Sequence, residues 1–128
     1  MSDFALLLKE LNNLEAVQAE LAGIATRTDD ARKHDLIQLR RKLASQIGEV
    51  GKVADRTLAD VDVAFKQAYR DHFSRMRSAA ALHQANWPAV RLGEDIDNYH
   101  ISAKGVRQAN REFVAWTRGA IDQLQKIR

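Results

Sequence analysis

An all-α antiparallel helical bundle, in one domain spanning residues 1–128, is predicted by three observations. Apolar residues recur three and four apart along almost the whole chain. The single proline is Pro88, and no stretch alternates with the period of a strand. The longest apolar series runs Leu36, Leu39, Leu43, Ile47, Val50, Ala54, Leu58, Val61, Phe65, Tyr69, His72, Met76, Ala80, His83, Trp87. Its steps of 3, 4 and 4 give about 3.67 residues per turn, so the stripe stays on one side of a straight helix.

Each element follows from local chemistry. Ser2 is placed as the N-cap of a first helix over about 3–26, with Asp3 favourable to the helix dipole. Its inner face reads Phe4, Leu7, Leu11, Leu14, Gln18, Leu21, Ala25, and Gln18 is the one polar entry. Thr28, Asp29 and Asp30 then resemble a cap and an acidic first turn. The connection is short, so the first helix must fold back along its successor.

The second helix is expected to run from about 30 to 86 as one rod, roughly 85 Å long. Gly48 and Gly51 weaken that expectation, because each costs about 1 kcal/mol relative to alanine in a helix. The alternative is a compact up-down four-helix bundle with a turn at 48–51. Continuity is preferred because the stripe crosses Ile47, Val50 and Ala54 in phase, and the glycines then serve to let another helix approach. The Asn86-Trp87-Pro88 sequence stops the helix, since a residue preceding proline is pushed out of helical geometry. A loop over 87–96 follows. A last helix over about 97–127, capped by Asp95 or Asp97, carries Tyr99, Ala103, Val106, Asn110, Phe113, Thr117, Ala120, Leu124 and Ile127 inward.

Those lengths bear on assembly. A continuous rod with one short companion per half is only two helices thick, which leaves Phe113, Trp116 and Ile121 partly wet. A homodimer is therefore expected, completing four-helix cross-sections across a two-fold interface.

Composition narrows the function classes. The chain has no cysteine, so disulfides, thiol nucleophiles and thiolate metal sites are excluded. No apolar run reaches a membrane span, and Phe4–Leu8 is too short for a signal-peptide core, so the expected location is cytoplasmic. The net charge is +3, with thirteen basic and nine acidic groups in residues 51–128.

Candidate chemistry is sparse. His72 and His83 share a helix face about 16 Å apart, too far for one metal within a chain. They are read as half-buried histidines at a helix interface, whereas His34 and His100 face solvent. Glu94, Asp95, Asp97 and His100 resemble a hard-cation set, but helix capping accounts for the same residues. There is no Glu-x-x-His pair of the di-iron type, no phosphate loop and no nucleophile-base spacing, so no catalytic residue, cofactor or metal is assigned. The expected function is a non-enzymatic protein-interaction or scaffold module.

The candidate partner-binding residues are Trp87, Tyr99, Trp116, Arg91, Lys104, Arg107 and Arg111. Trp87 beside Pro88 is either an anchor for a partner or a plug closing the bundle end. Lys104, Arg107, Arg111 and Arg118 recur on the last helix, with Arg70, Arg75 and Arg77 near the end of the rod. A basic strip of this kind suits acidic protein or nucleic-acid phosphates, the latter the weaker option because no aromatics are interleaved. In length and long-helix hairpins the chain is similar to the small cytosolic export chaperones of flagellar and type III secretion systems, and that likeness implies an export-chaperone role as an alternative.

Overall fold

The computed structural model describes residues 3–127. Four helices are present: α1 (Asp3–Ile24), α2 (Arg32–Thr57), α3 (Val63–Asn86) and α4 (Ile96–Lys126), with a short 3₁₀ turn at Ala89–Arg91. The expected class, an all-α antiparallel bundle, is what the chain forms. Among the described residues no strand occurs, and no helix is long and apolar enough to cross a membrane. The cap assigned to Ser2 lies outside the described residues.

The uninterrupted rod over 30–86 is corrected. The chain turns at residues 58–62, and the alternative turn at 48–51 is displaced by about ten residues because α2 runs straight through both glycines. No glycine or proline makes the turn. Leu58 closes α2 with its N–H on the Ala54 carbonyl, and Val61 N–H bonds the Leu58 carbonyl. Asp62 is extended (φ −49°, ψ 141°), and its carbonyl accepts from Lys66 N–H to begin α3. Val61, Asp62 and Val63 are poor helix formers, which favours the break here.

The apolar stripe keeps phase across this reversal because Leu58 and Val61 fold down over the end of the core. Periodicity reports which face is buried, and carries no information on the direction in which the chain leaves.

Every helix has two antiparallel neighbours. Thr57 Oγ1 donates to the Asp3 carbonyl and Gln46 Nε2 to the Glu10 carbonyl, tying α2 to α1. Phe73 of α3 packs on Gly51 of α2, and the Lys33 ammonium reaches the Val90 carbonyl at the other end. Tyr69 and Phe73 meet Phe113 of α4 at centroid distances of 5.8 and 5.7 Å. Arg118 of α4 bonds Glu15 of α1 at 2.7 Å and so closes the ring of helices. A four-helix cross-section is thus completed within one chain, and the half-covered rod from which a two-fold partner was inferred is absent.

The main core joins Leu7, Leu11 and Leu14 of α1 to Val50 and Ala54 of α2, Tyr69 and Met76 of α3, and Phe113 and Val114 of α4. A second cluster of Ile24, Leu36, Leu92 and Tyr99 fills the end nearest the α3–α4 loop, where Trp87 packs against it. Ile127, expected inside, is 79% exposed because α4 ends at Lys126.

Candidate functional site

The α1/α4 seam of the bundle is incompletely filled. Ala19 and Ala22 of α1, with Ala25 just past its end, oppose Ala103 of α4 across a groove of about 600 Å³. Side chains this small cannot bridge two helix backbones, so packing leaves a furrow where leucines would have sealed it. Gln18 and Asn110 form part of its lining and are 7% and 3% exposed. Gln18 Nε2 and Asn110 Oδ1 are buried and, among the described residues, have no hydrogen-bond partner. Buried polar groups are nearly always satisfied, so two orphans beside one groove call for a physical account.

The α4 wall is cationic. Lys104, Arg107 and Arg111 line the groove with His100 at its end, and Glu15 stands on the α1 side. Glu15 is already paired with Arg118. Among the described residues, none of Lys104, Arg107 and Arg111 has an ion-pair partner.

Beneath the groove lies a smaller pocket of about 40 Å³, sharing Gln18, Ala22, Ala25, Ala103 and Arg107 with it and adding Arg40, His83 and Tyr99. Arg40 Nη2 is buried and has no hydrogen-bond partner among the described residues. The guanidinium faces the Tyr99 hydroxyl, and burial lowers its pKa. Burial raises that of Tyr99, with Arg40 opposing the rise. The His83 imidazole is held down to about 4, first by burial and then by the positive charge of Arg40, so it is neutral at pH 7. His83 Nδ1 lies 2.6 Å from Ser102 Oγ.

The seven predicted partner residues separate into three places. Lys104, Arg107 and Arg111 come together on the groove. Trp87, Arg91 and Tyr99 meet at the bundle end, where Arg91 lies 4.6 Å over the Trp87 ring and Trp87 meets Tyr99 edge-on at 5.7 Å. Trp87 is half-buried and packs against the second apolar cluster at this end. Trp116 is elsewhere, stacked on His72 at 4.6 Å and tilted against Phe65 at 5.8 Å. Arg77 lies over Phe73 on α3, apart from the α4 strip.

His83 occupies the helix-interface position expected for it, and His34 and His100 are exposed. Glu94 pairs with Arg91 at 3.7 Å and Asp95 accepts from Asn98 at 2.9 Å. Asp95 sits at the N-cap of α4 in the left-handed region (φ 43°), its carbonyl rather than its carboxylate holding the first turn through Tyr99 N–H. Among the described residues no three His, Asp or Glu side chains are placed to share an ion.

Arg40 is not among the residues singled out from the sequence, and it begins the charged run Arg40-Arg41-Lys42. A signal was nonetheless there: residues 36, 40, 43 and 47 are spaced 4, 3 and 4, which puts Arg40 on the face of Leu36, Leu43 and Ile47. Comparison with protein families, curated proteins and solved structures finds no match.

Proposed function

We propose that this chain is a non-catalytic interaction module whose α1/α4 groove holds an acidic amphipathic segment of a partner protein. The observation that carries this is the coincidence, in one furrow, of unpaired cations and unpaired buried amides. Alanines along the floor let a second backbone approach closely, as helix-in-groove recognition requires. Lys104, Arg107 and Arg111 supply charge complementarity along one wall. Asn110, whose Oδ1 is buried without a partner among the described residues, lies beside the furrow and would gain a donor if a bound segment reached it.

Single-stranded nucleic acid is the less suitable occupant, because Tyr99 is buried and Trp116 is stacked on His72, which leaves neither free to stack on bases. A second copy of the chain is a further competitor for the same groove.

The test is a fluorescence-anisotropy titration with a labelled acidic amphipathic peptide, alongside a labelled oligonucleotide and a sedimentation measurement of mass. Saturable peptide binding is expected, weakened at least tenfold, or about 1.4 kcal/mol, by the triple change Lys104→Glu, Arg107→Glu, Arg111→Glu. Binding that ignores those changes, tighter binding of the oligonucleotide, or a stable dimer that excludes the peptide would each overturn the proposal.

A further inference from the structure

Two of the buried orphans, Gln18 Nε2 and Arg40 Nη2, belong to residues that line the same small pocket. A guanidinium has only donors, so any partner for Arg40 Nη2 must be an acceptor. The charge settles its sign. Among the described residues no carboxylate pairs with Arg40 or acts on it, and the Tyr99 phenol is what it faces. A half-buried cation with no counter-charge is unfavourable, and a well-bonded anion relieves that where water only solvates it. Arg107, common to groove and pocket, adds positive charge at the mouth.

Volume selects among anions. The pocket is small, about 40 Å³. A planar carboxylate, the more compact oxyanion and a match for guanidinium geometry, suits it better than a tetrahedral phosphate.

We infer that this pocket is a carboxylate receptor: an acidic group enters between Ala22, Ala25 and Ala103, and the Arg40 and Gln18 side chains, whose Nη2 and Nε2 are covered in the unliganded chain, turn to donate hydrogen bonds to it. The inference builds on the groove as the binding face and adds a specificity element, one acidic side chain of the bound segment seated deeper than the rest. A free small carboxylate supplies the same chemistry, and the experiment separates the two sources.

The full chain, labelled with ¹⁵N, is titrated with sodium acetate, sodium phosphate and sodium chloride at matched ionic strength while the Arg40 and Gln18 side-chain N–H signals are followed. Acetate is expected to shift both saturably, and phosphate and chloride are not. Arg40→Met and Gln18→Leu each abolish the shift of the remaining partner. Arg40→Met without acetate melts no lower than the parent, because an uncompensated charge has been removed. In the second arm, an acidic helical peptide with one central Glu binds at least tenfold more tightly than its Gln counterpart, a preference absent in Arg40→Met. Acetate shifts no larger than those of chloride mean that the pocket holds water only, and phosphate shifts equal to those of acetate remove the carboxylate assignment. Either result overturns the inference, and continued peptide binding would leave the groove proposal standing. Saturable acetate binding with no peptide bound at all retains the receptor and removes the groove occupant.

Discussion

A methyl group added at position 51 would meet the Phe73 ring at 3.1 Å, whereas one added at position 48 would meet nothing within 4 Å. The two glycines therefore differ in kind. Gly48→Ala should stabilise the chain by about 0.5–1 kcal/mol through helix propensity alone. At Gly51 the same gain is opposed, because Phe73 is itself held by Tyr69 and Phe113 and cannot yield freely. Gly51→Ala should be neutral or destabilising by up to about 1 kcal/mol, and paired urea titrations check both. Acidification acts at this scale too. The His83 pKa falls from 6.5 unfolded to about 4 folded, so the unfolded chain binds the extra proton first. Stability is full above pH 6.5 and falls as pH drops towards 4, by about 1–2 kcal/mol given partial solvent screening. Arg27 holds the Asp29 carboxyl down to about 2, so that pair weakens only at lower pH, below about 3.8. Denaturant midpoints measured from pH 8 to 4 should decline, and His83→Gln should flatten the decline.

At the scale of elements, the α2–α3 turn is held by burial more than by capping. Leu58 is 6% exposed and belongs to the main core, while Asp62 makes no side-chain cap bond. Leu58→Ala should cost about 2–3 kcal/mol, and Asp62→Ala only a few tenths, below the usual loss of a cap. Chemical denaturation of the two variants decides between an apolar clamp and a polar stop. The α1/α4 seam shows the opposite use of small residues. Alanines that would make a poor core make a usable groove, and Arg118 with Glu15 bridges it towards the other end.

For the whole molecule, dimensions are the sharpest check. A compact chain of 128 residues has a radius of gyration near 14 Å, and a dimer built on an 85 Å rod would exceed about 20 Å. Solution scattering should return the smaller value in the absence of ligand. Helix content, the ends near Ile24 and Asn86, the inner faces of α1 and α4 and the basic strip on α4 were all legible in the sequence, because each is set by residues within a few turns of one another. Close approach of another helix, expected at both glycines, holds at Gly51 and fails at Gly48, which faces open space.

The reversal at 58–62 was not, since Leu58 and Val61 sit at helical spacing whether the chain continues or doubles back. Nor was the carboxylate pocket, whose members come from all four helices: Gln18 from α1, Arg40 from α2, His83 from α3 and Tyr99 and Arg107 from α4. By itself the sequence determined that helices form and which side of each is buried, because both depend on short-range spacing. Only the tertiary structure decided where the chain reverses and which polar groups end up facing one cavity. Those depend on how four separate faces close around a common axis, and no local pattern encodes that.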